Sequence, residues 1–136
     1  MTKRIGDQAE TLVCDFLSLN RLTVVERNFH SRYGEIDIIA TDQQLNLCFI
    51  EVKARKFNIN THYAHAVESV SRAKQNKIIL TAQKYLEEFP EYEQYFCRFD
   101  VITVEYKNQQ QLVQSIQTLL KDSSFQLQWI QHAYTL

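Results

Sequence analysis

Residues 47–55, LCFIEVKAR, place the tightest limit on what this chain can fold into. Four apolar residues in succession, Leu47 to Ile50, leave no side for water. A strand made of them has to be covered on both faces. The strand then changes character: Glu51, Lys53 and Arg55 fall on the face that carries Leu47 and Phe49, because alternate strand residues share a face. The sheet is therefore expected to be sandwiched by helices at one end and to open at a charged rim, where pockets form.

The rest of the chain supplies the other elements. Residues 7–19 repeat Ala9, Leu12, Val13, Phe16 and Leu17 at helical spacing, with Asp7 as N-cap and Glu10 as its capping-box partner. Residues 22–28 and 35–40 read as strands separated by a turn at Ser31–Gly34. The polar stretch TDQQLN returns the chain antiparallel into 47–55. The stripe Val67, Val70, Ser71, Lys74, Ile78, Ala82, Tyr85 and Leu86 predicts a helix over 64–88 that Pro90 stops. CRFDVITVEY, 97–106, is the strongest strand on β-propensity. Residues 110–121 read as a further helix, and 125–134 as a short strand running into a helical turn. The order predicts an α/β fold with a mixed β-sheet flanked by helices, in a single domain over 1–136.

Composition sets the outer bounds. With 45% hydrophobic and 23% charged residues among 136, the chain is outside the disordered, collagen-like and coiled-coil classes. No apolar run approaches the roughly 18 residues of a membrane span, so no membrane partner is expected. Cys14, Cys48 and Cys97 sit in apolar stretches with no CxxC pair, which fits reduced thiols and, with no apolar leader in the first ten residues, a cytoplasmic location. A net charge of −1 is not that of a strong nonspecific nucleic-acid binder, but the charge is unevenly spread. Residues 1–84 hold 12 Lys/Arg against 9 Asp/Glu, and residues 85–136 hold 3 against 7. Nucleic-acid contacts are accordingly expected on the first part, with Arg55, Lys56 and Lys74 as candidates.

The chemistry concentrates between Asn28 and Lys56. With the turn centred on Gln44, Asp37 lies directly opposite Glu51 in the neighbouring strand. Opposed carboxylates repel. Such a pair needs a cation between its members or a raised pKa on one of them. Lys53 supplies one positive charge, and a divalent ion would supply the rest. Oxygen ligands suit Mg²⁺ or Mn²⁺. Glu10, at the edge of its helix's apolar stripe, divides between a capping role and the site. Lys74, in the middle of its stripe, has to snorkel or meet an acid. Glu35 is assigned to an arginine, Arg32 or Arg55, and Ile36 to one core face with Ile38. Arg98 and Asp100 form a structural pair. His62 and His65 lack the further ligands of a zinc site.

At these residues the chain resembles a known pattern. Asp37 followed by Glu51-Val52-Lys53 resembles the PD-(D/E)xK signature of restriction-endonuclease-like nucleases. GDQAETLVCDFL at 6–17, Arg27-Asn28, GEIDIIA at 34–40, FIEVKAR at 49–55, Val67 to Leu86 around Lys74, RFDV at 98–101 and IQHAY at 130–134 resemble the uncharacterised bacterial protein family typified by YraN. The likeness covers residues 4–106 almost continuously. Ala9 and Ala64 stand where that family more often has Gly, and 107–124 is longer than usual. The resemblance implies a restriction-endonuclease-like core in which Asp37 and Glu51 hold the metal and Lys53 positions or polarises the attacking water. Glu10 matches the first-helix Glu that Holliday-junction-resolving relatives place near the metal. The expected activity is metal-dependent phosphodiester hydrolysis of DNA, branched or structured DNA included. The rival expectations are a non-catalytic nucleic-acid-binding module with the same fold, and a protein-interaction domain hinted at by the acidic segment Glu87–Glu93.

Overall fold

The covered strand is the middle of the sheet. In the computed structural model, which describes residues 3–56, 70–106 and 126–135, β3 spans Asn46–Lys56. Leu47, Cys48, Phe49 and Ile50 are each at most 1% exposed there. Burying one such side chain contributes about 1.5–3 kcal/mol, so this one strand anchors both halves of the core. Around it lie α1 (Lys3–Leu19), β1 (Thr23–Ser31), β2 (Gly34–Thr41), α2 (Arg72–Glu88), β4 (Phe96–Tyr106) and β5 (Gln126–Tyr134). The five described strands form one mixed sheet in the order β1-β2-β3-β4-β5. β1, β2 and β3 are antiparallel neighbours, β4 runs parallel to β3, and β5 runs antiparallel to β4.

The two described α-helices cover opposite faces. On the α1 side Ala9, Leu12, Val13 and Leu17 pack with Ile38, Ala40, Cys48, Ile50, Val52 and Ile102. On the α2 side Ile78, Ala82 and Tyr85 pack with Ile39, Leu47, Phe49, Phe99 and Val101. The Phe49 and Phe99 rings stack at 5.5 Å, and Tyr85 meets Phe29 edge-on at 5.1 Å. The mixed α/β architecture and the cover on both faces agree with the sequence reading. The β2–β3 ladder pairs Ile38 with Ile50 and Thr41 with Leu47, the register expected from a turn centred on Gln44. Among the described residues no helix is long and apolar enough to cross a membrane.

Four local readings are corrected. α1 already includes Lys3, so Asp7 lies inside the helix, its carbonyl accepting from Thr11 Oγ1 at 3.0 Å, and no capping box forms there. α2 starts at Arg72: Ser71 is extended and its Oγ accepts the Lys74 N–H at 3.1 Å, so Ser71 caps the helix instead of belonging to it. The end of β5 makes no helical turn. It stays extended to Tyr134 around a bulge, with His132 at φ 51° and its N–H donating to Asp100 Oδ1. Ile36 packs on the α2 side with Ile39, not with Ile38. Beside it in β1, Asn28 takes φ 52° between the pairs Arg27–Ile38 and Phe29–Ile36. Residues 64–69 of the predicted long helix, the 110–121 helix, His62 and His65 lie outside the described residues.

Candidate metal and nucleic-acid site

The sheet forks at its charged end. The β2–β3 ladder stops at Ile38–Ile50, after which β2 continues with β1 and β3 continues along β4. Asp37 stands at the fork. Its Oδ2 accepts the backbone N–H of Val52 at 2.8 Å, a β3 donor beyond the end of the ladder. Glu51 is next in register on β3 and is buried.

Two groups of charge meet at this fork. On the α2 side, Glu51 Oε1 accepts from Lys74 Nζ at 2.6 Å and lies 3.6 Å from Lys53 Nζ. Lys74 thus meets the acid that its place in an apolar stripe required. On the α1 side, Glu10, Glu35 and Asp37 each offer an oxygen within 4.8 Å of the others. Arg27 Nη2 stands 3.8 Å from Glu10. The Asn28 carboxamide, turned so that its nitrogen faces the acids, donates to Glu10 Oε1 at 3.1 Å and Glu35 Oε1 at 2.9 Å. Positive φ is uncommon outside glycine, and asparagine is one of the residues that tolerates it. The β1 residue with positive φ is therefore also the one that ties the two glutamates together.

The electrostatics single out Asp37. Among the described residues no lysine or arginine pairs with it. Burial first, then the Glu51 charge, then Glu10 push its carboxyl up to about 8, against the Val52 hydrogen bond. Glu10 is raised too, by burial first, with Arg27 and the Asn28 hydrogen bond pulling the other way. Burial and the Lys74 charge lower the Lys53 amine, which the Glu51 charge opposes. Burial is the largest single influence on Lys74 and lowers it, but the Glu51 hydrogen bond and charge, with smaller help from Lys53 and Asp37, together outweigh burial and raise the amine.

The remaining candidates divide. Arg55 is tied to buried Glu105 at 3.1 Å, and Lys56 is exposed beside it. Glu35 pairs with His30 at 3.4 Å and joins the acidic group; no ion pair to Arg32 or Arg55 forms. Asp100 is fully buried and accepts from Arg98 Nε at 3.0 Å and Trp129 Nε1 at 2.9 Å, as well as from His132 N–H, which makes the Arg98–Asp100 pair structural. The structure brings Glu10, Asp37, Glu51, Lys53 and Lys74 to one fork. It adds Glu35 and Asn28, which pattern reasoning left out. The signal for Asn28 was a positive-φ-tolerant residue inside a β-branched strand.

The profile of the uncharacterised protein family UPF0102 matches residues 9–104 of this chain. A UPF0102 protein of Acinetobacter baylyi is 39% identical over 132 residues, covering 97% of this chain and 90% of that protein. One from Acinetobacter baumannii is 36% identical over 136 residues, covering 100% and 98%. A third, from Francisella tularensis subsp. novicida, is 43% identical over 108 residues, covering 79% and 89%.

Proposed function

We propose, from the premise that this chain belongs to the UPF0102 family, that it is a divalent-metal-dependent nuclease with a restriction-endonuclease-like core that hydrolyses phosphodiester bonds of structured DNA. The observation that carries the reading is Asp37. It is a half-buried carboxyl at a strand fork with one backbone donor, no described cationic partner and three further carboxylates around it. A carboxylate drawn partly out of water without a partner is costly. Perturbed groups of this kind concentrate where chemistry is done.

The donor set fits a hard cation. All four candidate ligands are carboxylate oxygens, which suits Mg²⁺ or Mn²⁺ better than zinc. Asp37 and Glu51 would hold the ion, with Glu10 and Glu35 beside them. Bound there, it would stabilise charge on the scissile phosphate and lower the pKa of a water. The chain's own residues do the rest. Lys53, partly exposed beside Glu51, orients the water or donates to the developing phosphate charge. Lys74 offsets the Glu51 charge while its amine stays within reach of a phosphate. Lys56 and Arg55 extend the basic border along β3 toward the DNA backbone.

One observation favours a second reading. Lys74 and Lys53 already neutralise Glu51, as a non-catalytic nucleic-acid-binding module would need. Lys53→Met separates the two, because it keeps much of the stem's packing and removes the charge. Thermal midpoint, DNA affinity and cleavage of branched DNA are compared for wild type and variant, with and without Mg²⁺ or Mn²⁺. The nuclease reading expects cleavage to vanish with affinity and midpoint nearly unchanged. Wild-type protein that cuts no structured or single-stranded DNA or RNA with either metal moves the assignment to the binding module.

A further inference from the structure

The far end of α2 carries a second kind of surface. Glu87 lies 13 residues beyond Lys74, about 20 Å along the helix from the fork. Here Leu86, Pro90, Tyr92 and Tyr95 line a groove of about 630 Å³, with Glu87 and Glu93 also in its wall. The aromatic side is built in layers. Tyr85 stacks on Tyr92 at 5.9 Å, and Tyr92 meets Tyr95 edge-on at 5.2 Å. Tyr92 and Tyr95 stay half-buried, so ring surface remains available in a wall that packing holds in place.

Charge at this groove is one-sided. Glu87, Glu88, Glu91 and Glu93 are all exposed. Among the described residues the cation paired here is Lys84, whose amine is 3.3 Å from Glu87. Helix stability does not account for the arrangement. Glu87 and Glu88 sit in the last turn of α2, which holds no basic residue, and acids are unfavourable at the negative end of a helix dipole. The segment thus accepts a small cost that a cationic partner would reverse. It also repels nucleic acid, which needs the opposite sign. Exposed Leu45 and Phe96, joined by the hydrogen bond from Phe96 N–H to Leu45 carbonyl at 2.8 Å, extend apolar surface at this end of the sheet.

We propose that this groove docks a basic amphipathic segment of a protein partner. An apolar side chain enters between Leu86, Pro90 and the tyrosines. Lysines or arginines beside it meet Glu87, Glu91 and Glu93 and lie on the Tyr92 and Tyr95 faces. The partner would hold the chain by the end of α2 opposite the fork and leave the fork open.

The probe is a fluorescein-labelled twelve-residue peptide with a central Phe-Leu pair flanked by lysines, titrated by anisotropy against the full-length chain. Its counterpart carries glutamates in place of the lysines. Glu91→Lys combined with Glu93→Lys changes two exposed groups and should fold, which its circular dichroism melt verifies. Asp15→Lys, exposed on α1, controls for general charge. Saturable binding of the basic peptide, weakened about tenfold or more by the double change and untouched by Asp15→Lys, supports docking at the groove. Asp37→Ala should leave this binding unchanged, so it stands or falls apart from the metal reading. No saturable binding, equal weakening by Asp15→Lys, or displacement of the peptide by duplex DNA overturns the proposal. Self-association of the chain that the double change abolishes overturns it too, because the groove would then take a second copy.

Discussion

Replacing Asp37 with Asn should make the metal-free protein more stable. The carboxyl is moved from 3.8 to about 8, first by burial and then by Glu51. The native state therefore holds a proton that the unfolded chain has released, and between those values wild-type stability falls as pH rises. Each unit is worth about 1.4 kcal/mol, so the cost at neutral pH has a ceiling of about 4 kcal/mol. Asparagine removes the charge and keeps an oxygen for the Val52 N–H. Allowing for the partial exposure of Asp37 and a weaker hydrogen bond, the expected gain near pH 7 is about 1–3 kcal/mol. For a chain of this size that is a rise in melting temperature of roughly 3–10 °C. The assay is thermal unfolding in EDTA across a pH series. The two proteins should coincide near pH 4, and the gap should open as pH rises toward 8. Saturating Mn²⁺ should close it by stabilising wild type alone. Parallel pH profiles, or an Asn variant that melts lower at pH 8, would refute the account of Asp37 as an uncompensated, half-buried acid.

Other outcomes follow from neighbouring contacts. Asp100→Asn leaves buried Arg98 without its carboxylate and weakens the Trp129 and His132 hydrogen bonds; chemical denaturation should report a loss of about 3 kcal/mol, and emission of Trp129, the single tryptophan, should shift to the red. Glu105→Gln frees the Arg55 guanidinium. Stability should fall by about 1–3 kcal/mol, while DNA affinity measured against salt should rise, with a slope steeper by about one. Ser71→Ala removes the α2 cap and should cost about 1 kcal/mol in urea unfolding, with α2 amides exchanging faster near Lys74.

The sequence by itself determined the layers. A strand apolar on both faces requires cover on both, and the amphipathic stripes of α1 and α2 supply it. It also determined the register that pairs Ile38 with Ile50 and leaves Asp37 and Glu51 next beyond the end of the ladder, because a short polar turn between two apolar strands allows only a register that buries both inner faces. That a lysine in the α2 stripe needs an acid was equally legible. Which acid it meets depended on how α2 crosses the sheet, and no local pattern records that. The capping error at Asp7 and the helical reading of Ser71 have one cause. Capping residues and helix-interior residues overlap in type, and only the hydrogen bonds distinguish them. The acidic group on the α1 side was decided by tertiary structure alone. Alternation along an ideal strand separates Ile36 from Ile39 and aims Glu35 away from Glu10. Beside Asn28, which takes φ 52° and contacts both glutamates, Ile36 instead joins the α2 core and Glu35 groups with Glu10. Periodicity cannot register such a departure, because it assumes a regular strand.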